Sequence, residues 1–271
     1  QNKQAQAWAA HTRDGDVLTL ATLTTGRIFG LADDDRATLL HLVGLLNSKR
    51  RKNELRRAYY DGHNLLRDLG ISVPPQLRTL DVVVGWPAKA VDSLSRRTIL
   101  NGFTSAGGSE LNGILDDAWD ANQLAIEAPS AHTSALIHSC SFVFVTKGGE
   151  GDPEALITTR SAEDATGIWD ARRRCLSAAL SIVDYDSKSG EPTQMNLYLP
   201  NRVAIIRRTA PGLYDAEYTL HAMGVPVEVL PYRAMHGRLF GRSRITRGVR
   251  FLSDAAARTM LRTEVGAEFY N

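Results

Sequence analysis

The chain has 271 residues, 43% of them apolar and 23% charged, and a formal net charge of +2. That composition excludes a disordered polymer and is enough for one large or two modest domains with a real core. Two cysteines, Cys140 and Cys175, make no disulfide framework and fit a reducing compartment, and the longest apolar stretches, such as 134–145, fall short of the ~18 residues that cross a bilayer.

Residues 1–32 show no sustained period and read as an N-terminal extension. They carry neither a basic nor an apolar leader region, so no secretory signal is expected. The first residue is Gln1 rather than Met, and the chain is expected to be a portion trimmed at both ends. From Asp33 the pattern becomes helical. DDDRATLLHLVGLLN places acids in a first turn, where the helix dipole favours them, and apolar residues at 39, 42, 43 and 46. The basic run KRRKNELRRAYYDG continues it to Gly62, as one long amphipathic helix or two in succession.

A loop with Pro74 and Pro75 leads to a short strand-like run at LDVVVG, then to a helix whose first position is Pro87. SELNGILDDAWDANQL has a helical stripe, and after Pro129 the segment SAHTSALIHS reads as another helix feeding the apolar run CSFVFVT. From Glu154 to Leu230 the texture turns to strands: ALITT, RCLSAALSIVD, MNLYLP, RVAIIRR, AEYTL and VPVEVL, broken by Gly, Pro, Asn and Asp. Neighbouring strands with few helices between them predict an antiparallel sheet, and helices followed by a sheet make the class α+β. The last element is expected to start at Ser243 as N-cap, with Ile245, Val249, Leu252, Ala256 and Met260 on one face. Continuing to Tyr270 it would span about 28 residues, or about 42 Å.

Charge is distributed unevenly. Between Arg233 and Arg262 stand eight arginines, no lysine and one acid, Asp254, a local +7 that leaves the remainder of the chain at −5. Such asymmetry points to a polyanion or an acidic protein surface, with a merely solvated face as the plain alternative.

Catalytic patterns find little support. The seven histidines are dispersed, and His132 and His138, six apart on a helix, do not share a face for a metal. Asp116, Asp117 and Asp120 spell DDxxD, which can present carboxylates to Mg²⁺, yet Leu115 and Trp119 mark the buried side and leave these acids in solvent. GRLFGRS at 237–243 has only three residues between its glycines and Arg242 where a phosphate loop needs Lys.

Several segments together are similar to the portal proteins of tailed bacteriophages: RRAYYDGHN (56–64), VVVGWPAKAVDSLSRRTILNGF (82–103), DDAWDANQLAIEAPSAHTSALIHSCSFVFV (116–145) and VPVEVLPYRAMHGRLFGRSRITRGVRFLSDAAARTMLRTEVGAEFY (225–270). The resemblance implies a non-enzymatic, cofactor-free ring, usually of twelve subunits, at the unique capsid vertex of the virion, assembled in the host cytoplasm. Double-stranded DNA passes through it without sequence reading. The major capsid protein, terminase and head-to-tail adaptor proteins are the implied partners, with no membrane. Residues 1–32 then form an extension, 33–232 the wing, and 233–271 a basic loop and first stem helix, with clip, tunnel loop and crown expected beyond. Arg238, Arg242, Arg244, Arg247, Arg250, Arg258, Arg262, Glu264 and Glu268 become candidates for the subunit interface or the DNA channel. We favour the interface for the arginines, because a conduit gripping many phosphates would hinder sliding, and the channel for the two glutamates. A sequence-independent basic DNA-binding module is the first alternative, and a Mg²⁺-dependent enzyme using Asp116, Asp117 and Asp120 the second.

Overall fold

A computed structural model describes residues 27–63, 83–149 and 151–270, with side chains to 267. Residues 1–26 of the expected extension at 1–32, the Pro74–Pro75 loop and most of the strand-like run before Gly85 lie outside the described residues. The chain divides into two compact units, Gln1–Arg50 with Phe142–Glu228 and Arg51–Ser141 with Val229–Asn271.

The first unit is built on a six-stranded sheet. Its strands are β1 (Arg27–Phe29), β4 (Ala165–Asp170), β5 (Cys175–Tyr185), β6 (Pro192–Leu199), β7 (Arg202–Ala210) and β8 (Leu213–Leu220), in the order β1-β8-β7-β6-β5-β4. β4 to β8 form an antiparallel meander, each strand beside its chain neighbour. β1 pairs parallel with β8, so the sheet is mixed rather than purely antiparallel. Neither β1 nor β4 is evident in the sequence. A three-residue strand has no period to read, and ATGIWD carries a bulge between Ile168 and Trp169 that breaks the alternation.

One face of this sheet is apolar at every second residue: Ala178, Leu180 and Ile182 on β5, Met195, Leu197 and Leu199 on β6, Ala204 and Ile206 on β7. The first half of α1 (Asp33–Tyr60) covers it with Leu39, Leu42, Val43 and Leu46, the residues its sequence stripe singles out. On the opposite face the Tyr198 ring lies 4.8 Å from that of Phe144. Phe144 belongs to β2 (Cys140–Lys147), the middle strand of a second sheet ordered β3 (Ala155–Ser161), β2, β9 (Val227–Pro231).

Asp35 locks the start of α1 to the sheet. Its carboxylate, 4% exposed, accepts two hydrogen bonds from Arg202 at 2.7 and 3.1 Å and one from the Tyr218 hydroxyl at 2.7 Å. Burial opposes the charge, but Arg202 and Tyr218 outweigh it and hold the carboxyl below its ordinary range. A lowered folded pKa means stability that is complete above the unfolded value of about 4 and is lost as pH falls through the folded one. Asp35→Asn is expected to cost about 2 kcal/mol at pH 7, with the half-exposed Arg202 limiting the loss, and to flatten the acid limb of the stability profile below about pH 4. Urea unfolding across that range checks both; an unchanged acid limb refutes the assignment.

The second unit holds the rest of α1, then α2 (Trp86–Ser95), α3 (Ser109–Ala121), α4 (Leu124–His138) and α5 (Arg247–Tyr270). Val91, Leu136, Ile137 and Ile245 form its buried centre, ringed by Tyr59, Tyr60, Leu94 and Tyr232. The α3 stripe is confirmed in part by Trp119, buried and edge-on to Phe103 at 5.4 Å.

Three expectations for this unit need correction. α4 does not begin after Pro129 but at Leu124, with Pro129 inside it. Proline is a frequent first-turn residue, but here it removes one interior hydrogen bond and the helix continues. α5 begins at Arg247, not Ser243, and Thr246 is its cap, its Oγ1 accepting the Val249 N–H at 3.3 Å. It therefore runs 24 residues, about 36 Å rather than 42 Å. Finally, the buried side of α5 is Ser253, Ala257 and Leu261, while Leu252 and Met260, expected inside, are 57% and 50% exposed.

The arginine-rich segment as a candidate interface

Residues 232–246 are a strap laid across the end of α4. A helix leaves its last four carbonyls without intrahelical partners. For α4 these are Ala135, Leu136, Ile137 and His138, and each is met. The Ser139 N–H donates to Ala135 at 2.9 Å and the Arg244 N–H to Leu136 at 2.8 Å. The Ser243 hydroxyl donates to Ile137 at 2.6 Å, and the Arg56 guanidinium from α1 reaches His138. The Arg56 cation at the negative end of this helix is also favoured by the helix dipole.

The strap is held on its other edge by β9 and the residues that follow. Arg242 N–H donates to the Tyr232 carbonyl and Tyr232 N–H to that of Ser139, both at 2.8 Å. Gly241 passes between them with φ +71°. Ser243, 6% exposed, also accepts the Ile245 N–H at 3.0 Å, turning the chain so that Ile245 enters the buried centre.

Side chains continue the same fastening. The Arg244 guanidinium donates to the Ala90 carbonyl of α2 and to the Tyr232 hydroxyl at 3.1 Å. Arg250 lies over the Tyr59 ring at 5.7 Å, and the Tyr59 hydroxyl donates to Asp254 at 2.7 Å. Burial first, and then the hydrogen bond to Asp254, push the Tyr59 phenol up to about 12. Burial first, and then the neighbouring Arg250 charge, lower the Arg56 pKa from its ordinary value. Tyr60 donates to Asp92 at 2.9 Å, tying α1 to α2.

The nine residues singled out from sequence thus separate by environment. Arg244, Arg250 and Arg258 are half-buried, and the first two are engaged within the unit. Arg238, Arg242, Arg247 and Arg262 are exposed, as is Glu264, and the side chain of Glu268 lies outside the described residues. Asp116, Asp117 and Asp120 are exposed on α3, and among the described residues no three His, Cys, Asp or Glu side chains converge as metal ligands would. No described helix is long and apolar enough to cross a membrane. Sequence reasoning missed Arg56, Tyr59 and Gly241, and placed Ser243 at the start of α5 rather than at the end of α4. Arg56 is one of several bases in a run, and nothing local distinguishes the one that turns inward.

Residues 45–267 match the family model described as phage portal protein, SPP1 Gp6-like, and the chain belongs to that family. It is 31% identical over 222 residues to the portal protein of Mycobacterium phage L5 and 30% identical over 218 residues to that of Mycobacterium phage D29. Each alignment takes in 78% of this chain and 45% of the relative, so the chain spans less than half the length of the curated relatives it matches.

Proposed function

We propose that the chain is the wing and first stem helix of a portal subunit, which forms a ring at the unique capsid vertex and conducts double-stranded DNA during packaging and ejection. Residues 33–232 form the wing, and 233–271 the basic loop and stem helix, following an extension at 1–32. The complete subunit, in a ring of twelve copies as the family resemblance implies, meets the major capsid protein, the terminase and head-to-tail adaptor proteins. It assembles in the host cytoplasm and remains in the virion.

The observation that carries this reading is the family match across 45–267, supported by the two mycobacteriophage portal proteins. DNA is contacted through phosphate and shape alone, since a conduit for a whole genome has no use for base readout. Electron microscopy of the complete gene product tests the proposal. Closed rings with a central channel wide enough for duplex DNA are expected, and a homogeneous monomer without a channel refutes it.

A further inference from the structure

Two exposed helix faces in the second unit are opposite in charge and alike in form. α3 carries four acids, Glu110, Asp116, Asp117 and Asp120, and no base. On its outer face Ile114, 59% exposed, stands between Glu110 at i−4 and Asp117 at i+3, positions that share one side of a helix. An apolar side chain of that size in water between two carboxylates gains nothing for the single chain.

α5 presents the counterpart. Phe251, 63% exposed, has Arg247 at i−4 and Arg262 at i+11, three turns further along the same side. Both arginines are exposed. The inward side of this helix is already occupied by the Tyr59–Asp254 hydrogen bond and the buried Ser253, Ala257 and Leu261. Each face therefore has an apolar centre and a charged rim, the anatomy of a protein–protein interface, and the rims are of opposite sign.

We propose that the arginine-rimmed outer face of α5 in one copy of this chain docks on the acid-rimmed outer face of α3 in a second copy. The inference rests on the ring reading above and names the surfaces that join one subunit to the next. Because the two faces differ, the contact is head-to-tail, the kind that generates rings rather than symmetric dimers. Phe251 and Ile114 supply the dry centre; Arg247 and Arg262 against Glu110 and Asp117 set partner and orientation.

Charge reversal on the 271-residue chain tests this, with sedimentation equilibrium as the readout. The acid variant is Glu110→Lys with Asp117→Lys, and the base variant is Arg247→Glu with Arg262→Glu. Each alone is expected to weaken self-association about tenfold or more, and an equimolar mixture to recover to within about threefold of the parent chain. Recovery requires both variants to be folded. Should a reversed chain melt early, the milder Glu110→Gln with Asp117→Asn is expected to weaken association about threefold. Unchanged association in either variant, or a mixture of folded variants that does not recover, overturns the proposal while rings of the parent chain keep the portal reading intact. Base reversal that abolishes duplex DNA binding and leaves association unchanged also overturns it, assigning the α5 face to phosphates. A parent chain that stays monomeric at every concentration overturns this contact, and the portal reading is then decided by the complete gene product.

Discussion

Gly241→Ala is expected to destabilise the chain by about 3–4 kcal/mol, the largest effect of any single methyl group considered. At φ +71° an L side chain is strained, which alone costs about 1–2 kcal/mol. A Cβ there would also lie 2.6 Å from the Ser139 carbonyl oxygen and closer still to that of Tyr232, and both are backbone atoms that cannot rotate away. Relief requires the strap to lift, and lifting stretches the Arg242–Tyr232 hydrogen bond on one side of Gly241. Thermal unfolding is the measurement, with a midpoint lower by roughly 10 °C expected. A shift within about 2 °C would mean the strap has a second conformation of similar energy.

Ser243→Ala comes next, at about 2–3 kcal/mol. The lost hydroxyl leaves two buried backbone groups unpaired, the Ile137 carbonyl and the Ile245 N–H, in a place that water does not reach. Ser253→Ala is the internal comparison. Ser253 is 2% exposed and donates to the Val249 carbonyl four residues earlier, within a helix, so its removal is expected to cost no more than about 0.5 kcal/mol. Two serines of equal burial thus differ in what their loss orphans. Urea denaturation of both variants measures the difference, and equal effects would sink the capping argument.

Much of the first unit is legible in sequence because it obeys short periods. Leu39, Leu42, Val43 and Leu46 mark a helix face, and β5, β6 and β7 alternate as strands with one covered side must. β1 escaped because three residues carry no period, and its parallel pairing with β8 joins segments almost two hundred residues apart. In the second unit the failures are of another kind. Ser243 has the right chemistry for a helix cap and was assigned to the nearest helix in sequence, α5. It caps the other end of a different helix, α4. On α5 the hydropathy pattern marks an apolar stripe, of which Leu252 and Met260 stay exposed. A single chain's periodicity reports that a face is apolar, not whether the chain itself or another molecule covers it. The arginines show the same limit: eight look alike along the sequence, yet Arg244 reaches Ala90 and Tyr232 while Arg247 meets solvent.

The capping of α4 has a further consequence in time. Its C-terminal carbonyls are completed by Ser243, which follows Ile137 by 106 residues. At 5–20 residues per second, roughly 5–20 s of synthesis separate the emergence of that helix from the arrival of the group that finishes it. Within that interval the nascent chain makes the entire meander of β4 to β8, while the end of α4 remains open to water or to a chaperone. The second unit, whose two segments lie on either side of that meander in sequence, is thus completed last.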